Sequence, residues 1–429
     1  MKTYINPSKD KWLKLCKRPE TSKSDVSSIV AEVFKNVEVK GDVALQEYTQ
    51  KFDNVSISSV IVSKETMKKW ANKTAPELKK AIDEAYATIR KFHEAQAIDV
   101  NKETVETIKG ILCWREPRAI ERVGLYVPAG NAPLISTVLM LGVPAQLAGC
   151  RELTLCSPPQ TNGKINSAIC YGALKVGVTK LASVGGIQAI AALAVGTDSI
   201  EKVDKIFGPG NQFVTAAKQY ANSKYSVAID MPAGPSEQLV IADARANTEF
   251  VAADLLSQAE HGPDSQVVLL SNSLEQIERV KLALQDQLSI LPRKDIVKEA
   301  LNNSFCVVFN SIDTALDFSN LYAPEHLILA LGQSERYVEK IQNAGSVFLG
   351  KYSPESAGDY ASGTNHTLPT NGWARSYSGV SLDSFVKKVT FQSLTKKGLA
   401  SLSNTIETIA KAEGLEAHAR AVSIRFSEE

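Results

Sequence analysis

The chain has 429 residues, 44% hydrophobic and 22% charged, the proportions of an ordinary globular protein with ample length for a buried core. Its 48 Lys and Arg against 47 Asp and Glu leave a formal charge of +1, so no basic excess points to nucleic acid or to an anionic membrane. No apolar run reaches the length of a membrane span, and Met1-Lys2-Thr3-Tyr4-Ile5 lacks the apolar core of a signal peptide. The length corresponds to about three domains.

In chain order, residues 1–23 read as a polar, irregular extension with Trp12 and Leu15 as docking points. Helical spacing of Val26, Ile29, Val30, Val33, Phe34 and Val37 predicts a helix, ended by Gly41 and followed by another through Leu45 and Tyr48. A short strand is expected at 60–63. A long amphipathic helix is expected after Pro76, with its charged face in solvent. From Val123 strands and helices alternate: strands at 124–128, 153–156, 180–184, 205–207 and 227–230, helices at 137–148, 165–174 and 213–220, and a further helix opened by Gly185-Gly186. Strand, glycine turn and helix in repetition is the pattern of a parallel sheet with crossover helices. A second unit follows Ser236, with strands at 238–241, 266–270, 306–309, 326–331 and 346–349. Residues 353–378 read as a long Gly/Ser/Thr/Asn-rich loop, of a kind that often carries function. The tail from Asp383 reads as largely helical, with Leu399, Leu402, Ile406 and Ile409 at helical spacing.

None of the 6 cysteines forms a Cys-x-x-Cys pair, so a thiolate zinc site is not expected. Their apolar settings read as buried packing in a reducing compartment, the cytoplasm or its equivalent. A thiohemiacetal route through Cys113 or Cys150 is disfavoured for the same reason.

Of the 5 histidines, four lie in short segments rich in acidic, amide or hydroxyl residues: His261, His326, His366 and His418. The fifth, His93, ends a polar helix and is assigned no role. Gln258 and His261 fall three apart at the end of a helix stopped by Gly262-Pro263, so both side chains leave the same side of the last turn. An amide carbonyl and an imidazole presented together suit a divalent ion, and Asp359 and His418 complete an N/O donor set, with Glu260 as a rival. These donors fit zinc, manganese and cobalt alike. Glu325-His326 precedes an apolar strand, and an adjacent carboxylate and imidazole can divide proton transfers between them. The turn Gly208-Pro209-Gly210-Asn211 at a helix start can present N–H groups to a phosphate, though no complete Gly-x-Gly-x-x-Gly is present. A metal-dependent hydrolase with Glu325 activating water, and a non-catalytic binding protein with a structural metal, remain as rival readings.

The chain resembles the histidinol dehydrogenases from end to end. The resemblance is carried by Val123-Gly-Leu-Tyr126-Val-Pro, Ala132-Pro133-Leu134, Val184-Gly-Gly-Ile-Gln188-Ala-Ile, Phe207-Gly-Pro-Gly-Asn211, Ile229-Asp-Met-Pro-Ala-Gly-Pro-Ser236-Glu237, residues 254–265, Pro324-Glu-His326-Leu and residues 345–366. A departure occurs at Ala129-Gly130-Asn131, where the family often carries a Gly-Gly pair and a small hydroxyl residue. The resemblance implies zinc-dependent, two-step oxidation of L-histidinol through the aldehyde to L-histidine with two NAD⁺, the last step of histidine biosynthesis. It implies zinc ligands Gln258, His261, Asp359 and His418, and a catalytic pair in which His326 is the base and Glu325 activates water. It also implies substrate contacts at these six residues and at Ser236, His366 and Glu413, and NAD contacts at Tyr126, Gln188 and Asn211.

The implied fold is α/β with two incomplete Rossmann-like domains built on parallel sheets. Residues 24–125 with 237–380 would form the catalytic, metal-binding domain, and residues 126–236 the domain on the NAD side. The 1–23 extension and a domain-swapped helical tail at 381–429 would dock on the partner of a homodimer, sharing the active sites between subunits.

Overall fold

The computed structural model describes residues 1–18, 24–97, 104–129 and 133–427. Gly130, Asn131 and Ala132, which include part of the departure from the family pattern, lie outside these. The chain divides into two units, one of residues 1–96 with 120–385, the other of residues 97–119 with 386–429.

The larger unit holds two six-stranded sheets. One runs, edge to edge, Lys2–Ile5, Phe305–Val308, Gln266–Ser271, Glu237–Ala242, His326–Ala330 and Ser346–Leu349, with every pairing parallel. Its inner strands are covered on both faces, so they read as unbroken apolar runs rather than alternating ones. Val240, Val267 and Leu269 face one core; Leu239, Ile241, Val268 and Leu270 face the other. The second sheet runs Ile61–Val62, Lys180–Ser183, Glu152–Ser157, Arg122–Tyr126, Lys205–Phe207 and Ala228–Ile229, parallel except for the first pairing. The helix Ile135–Ala148 is buried at every position from Thr137 to Ala145 and lies in the core on one face of this sheet. Residues 24–96, grouped above with 237–380, place their helices here: Val30, Phe34 and Leu45 share a core with Ile190 and Ile206, and Ile82 and Ile89 share one with Leu139 and Leu155.

Expectations about two segments of this larger unit are corrected. The first 18 residues are ordered: Lys2–Ile5 forms an edge strand and Lys9–Leu15 a helix. Trp12 is buried between Phe309 and Phe318, 5.5 Å from each ring, and donates to the Pro7 carbonyl. A four-residue strand and a two-turn helix are too short to show a period, so the docking carries the order. Within 353–378, the segment Glu355–Tyr360 is helical rather than loop.

The smaller unit is a three-stranded antiparallel sheet, Val386–Leu394, Ile111–Ala119 and Val105–Ile108, with helices Lys396–Ala412 and Glu416–Ser423. The strand at 386–394 corrects the helical reading of the tail's first segment. Its ladder with 111–119 and the stacking of Phe391 on Trp114 at 5.4 Å come from residues far away in sequence, and local propensity does not report them.

Candidate active site

Asn247 caps the helix Thr248–Ala259 by accepting from the Phe250 N–H at 3.1 Å. Val251, Leu255 and Leu256 bury its inner face, which carries Gln258 into the interior with no exposure. His261 follows the helix end and is exposed, although the atoms crowded around its ring lower its pKa by desolvation. Glu260 caps the C-terminus of the same helix.

Glu325 and His326 sit at the amino end of the strand His326–Ala330, beside Glu237 and Gln238 of the neighbouring strand. The cluster thus lies at the amino ends of its sheet, not at the carboxyl ends where the glycine turns of the other sheet gather. Glu325 accepts from the Glu237 N–H at 2.9 Å. His326 Nδ1 lies 3.4 Å from the Glu237 carbonyl, 3.7 Å from Glu325 and 3.8 Å from Glu355, while Nε2 lies 3.6 Å from Asp359.

Glu355 also belongs to this cluster, a residue that the sequence reading does not single out. It is buried, accepts from the Gln238 amide, and faces the Gln258 amide. That amide is satisfied when its Nε2 donates to Glu355 and its Oε1 accepts from the Glu237 N–H at 3.1 Å. The signal was available, since Glu355 and Asp359 are four apart and share a helix face.

Among the described residues, His261, Glu355 and Asp359 offer one ligand atom each within 4.8 Å of one another. Asp359 Oδ1 and His326 Nε2 are buried without any hydrogen-bond partner. The orphaned Asp359 Oδ1 beside the His261 imidazole and the Glu355 carboxylate is what a divalent cation would satisfy, so these three residues fit a metal. The electrostatics agree. Burial lifts the Glu325 carboxyl to about 8, with His326 pulling it the other way. Burial alone would lower His326, but Glu355, Glu325 and Asp359 outweigh it and raise the imidazole to about 10. Burial pushes Glu355 up, whereas Asp359 overcomes burial and stays low through its contact with His326. The cluster therefore demands positive charge, from a proton on His326 or from a cation.

The other expected residues are placed as follows. Ser236 precedes the Glu237–Ala242 strand, and its carbonyl accepts from the Gln266 N–H at 3.1 Å. His366 has both ring nitrogens engaged, one 3.0 Å from the Asp359 carbonyl and the other 3.1 Å from the Thr137 hydroxyl. Glu413 and His418 belong to the smaller unit, at the end of Lys396–Ala412 and on Glu416–Ser423, and both are exposed. His93, given no role, is buried; its ring lies 2.9 Å from the Ile89 carbonyl and 3.4 Å from Asn365. Cys150 is held protonated, its thiol pushed by burial to about 12.

On the second sheet Tyr126 ends its strand, buried, and its hydroxyl accepts from the Gly186 N–H at 3.2 Å. Gln188 is buried with Oε1 unpartnered. Asn211 caps the helix Gln212–Tyr225, accepting from the N–H groups of Phe213 and Val214 at 3.1 Å. Gly208 has φ +134°, and a Cβ there would stand 2.1 Å from the Tyr126 carbonyl oxygen. Lys218 donates to the Gly208 carbonyl and Asp230 accepts from its N–H, both at 2.8 Å, which fixes the turn. Gln188 Oε1 is a buried acceptor without a partner, on the helix that opens at Gly186, and a polar cofactor group is what would satisfy it.

The family described as histidinol dehydrogenase matches residues 16–426. The histidinol dehydrogenase of Bacteroides thetaiotaomicron is 51% identical over 427 residues, covering 100% of this chain and 99% of that one. The histidine biosynthesis trifunctional protein of Saccharomyces cerevisiae is 49% identical over 419 residues, covering 96% of this chain and 52% of that protein. The crystal structure of histidinol dehydrogenase from Elizabethkingia anophelis matches with a TM-score of 0.96 at 55% identity, covering 99% of this chain and 98% of that one. With its mixed α/β fold and this match along nearly its whole length, the chain belongs to the histidinol dehydrogenase family, a family of NAD-dependent oxidoreductases.

Proposed function

We propose that this protein oxidises L-histidinol to L-histidine in two steps with two NAD⁺, as the last step of histidine biosynthesis. The observation that carries this reading is the buried Glu325–His326 pair set against the His261, Glu355 and Asp359 donor group, in a chain of this family. Gln258, His261 and Asp359 would hold zinc, with Glu355 as a further donor and His418 supplied by a partner subunit. When bound, zinc supplies a Lewis-acidic cation that answers the carboxylate field, and NAD⁺ supplies the two-electron acceptor.

The chain's own residues then do the rest. His326 holds Nδ1 toward the Glu237 carbonyl and leaves Nε2 free, so Nε2 is the atom that takes the hydroxyl proton of the substrate. Glu325, one oxygen fixed by the Glu237 N–H, takes the proton of the water that hydrates the aldehyde. The His326 imidazolium left by the first oxidation returns its proton to the aldehyde oxygen during hydration, so Nε2 is again free to take the hydroxyl proton of the hydrate in the second oxidation. The burial of both groups excludes bulk water from these transfers. Tyr126, Gln188 and Asn211 would contact NAD⁺; Ser236, His366 and Glu413 would contact the substrate.

A shared-site homodimer belongs to the same proposal. Support comes from the smaller unit, where Ile409, Leu415 and Ile424 leave apolar side chains 55%, 43% and 50% exposed. No helix among the described residues is long and apolar enough to cross a membrane. A cytoplasmic location belongs to the proposal because it suits a biosynthetic enzyme of this family. Mixing L-histidinol and NAD⁺ with the protein should give reduced-nicotinamide absorbance, two equivalents per histidinol. A metal-dependent hydrolase or a binding protein would give none, and that outcome would reject the reading.

A further inference from the structure

Arg18, in the N-terminal segment, is a largely enclosed arginine that takes no part in the proton transfers. Arg18 Nε and one terminal nitrogen each donate to a Glu237 carboxylate oxygen at 2.8 Å, a two-point grip. The same terminal nitrogen donates to the Tyr322 carbonyl at 2.7 Å, and the other donates to the Cys16 carbonyl at 2.9 Å. The guanidinium lies over the Tyr322 ring, 3.6 Å from its centroid. The Tyr322 hydroxyl is itself tied to Gln266 at 2.7 Å. Side-chain exposure is 10% for Arg18 and 1% for Glu237.

The two segments so gripped are those that build the catalytic pair. Glu237 offers its N–H to Glu325 and its carbonyl to His326 Nδ1. Tyr322 ends the helix Ile312–Tyr322; Ala323, in the left-handed region at φ +53°, and Pro324 then lead directly into Glu325. We infer that Arg18 is a positioning residue: by clamping the Glu237 carboxylate to the Tyr322 carbonyl, it fixes the Glu237 backbone groups that aim Glu325 and His326.

This rests on the activity proposed above, and the two can fail separately. If the unaltered protein does not oxidise histidinol, the activity reading falls. If it does, Arg18→Met tests the clamp. Its kcat per metal-loaded site should drop about tenfold or more, since small misplacements of reacting groups are costly, while KM for NAD⁺ stays within about twofold. Arg18→Lys should recover part of the loss, because an ammonium meets the carboxylate as a point charge but cannot make the planar two-point grip. A role confined to fold stability would lower the melting temperature and leave kcat per loaded site within about twofold, and that result overturns the inference. Should Arg18→Met fail to fold, Arg18→Met with Glu237→Gln removes the unpaired buried charge. The folded double variant is expected to keep the low kcat, and full kcat in it would overturn the inference equally.

Discussion

Glu355 and Asp359 stand one turn apart on the helix Glu355–Tyr360 and bring two carboxylates to the imidazole of His261, all three donor atoms within 4.8 Å. Two carboxylates this close in a buried setting repel each other unless a proton or a cation lies among them. Asp359→Ala should abolish bound metal and turnover together. Glu355→Gln keeps the shape but removes a charge, and should weaken metal retention by about tenfold while leaving the fold intact. Metal analysis after dialysis against a graded chelator reads this out, and unchanged retention in Glu355→Gln would remove Glu355 from the donor group.

The catalytic pair predicts a split between the two oxidations. His326→Asn should cripple both, by about 10²-fold or more, because both need a base at the same nitrogen. Glu325→Gln should spare alcohol oxidation more than aldehyde oxidation, since its carboxylate is needed for the hydration. Rates measured separately with histidinol and with histidinaldehyde distinguish the two variants. Equal loss of both steps in Glu325→Gln would contradict its assignment.

The region legible in the sequence was the one with local signals. Gln258 and His261 are three apart before a helix-stopping Gly262-Pro263, and Glu325-His326 are adjacent, so each pair showed itself without a fold. The buried parallel strands announced themselves as apolar runs. What escaped depends on distance. The Val386–Leu394 strand exists because Ile111–Ala119 pairs with it, and the Lys2–Ile5 strand because Phe305–Val308 lies alongside. Glu355 escaped because glycine and serine around it masked a single helical turn; its role as partner of Gln238 and Gln258 is purely tertiary. The engagement of both His366 nitrogens, one at the Asp359 carbonyl, was equally beyond reach.

Gly208 offers a backbone test of the turn proposed to lie on the NAD⁺ side. Its φ of +134° and the 2.1 Å approach of a built Cβ to the Tyr126 carbonyl leave no room for alanine. Gly208→Ala should cost about 1–3 kcal/mol of stability and raise KM for NAD⁺, because Asn211 lies three residues along the same turn. Thermal melts and NAD⁺ titrations check both effects; a wild-type KM would detach this turn from cofactor binding.

Asp53 sets a pH dependence of stability remote from the metal group. It is the last residue of the helix Asp42–Asp53, the end that disfavours a negative charge, and its Oδ2 is buried without a partner. Burial raises its carboxyl to about 6 from 3.8. The folded state therefore binds the proton more tightly than the unfolded state. The neutral acid's contribution is fully present below about pH 4 and is lost as pH rises through about 6. Asp53→Asn should raise the melting temperature at pH 7.5 and change it little at pH 4. A shift of equal size at both pH values would show that the charge is not the cause.

The sharing of sites between subunits can be tested by mixing Asp359→Ala chains with His418→Ala chains. A hybrid dimer regains one site with every ligand intact, so activity should return from two inactive parents. No recovery in a demonstrated hybrid would confine each site to one chain.

On the proposed function, a divalent ion held by Gln258, His261 and Asp359 is what lets this chain oxidise histidinol. The most direct measurement is turnover during stepwise return of zinc to chelator-stripped protein. Activity is predicted to start near zero and to climb to its full value at about one ion per site, with His261→Asn gaining nothing. Full histidinol turnover by the stripped protein, before any metal is returned, would rule out that role for the ion.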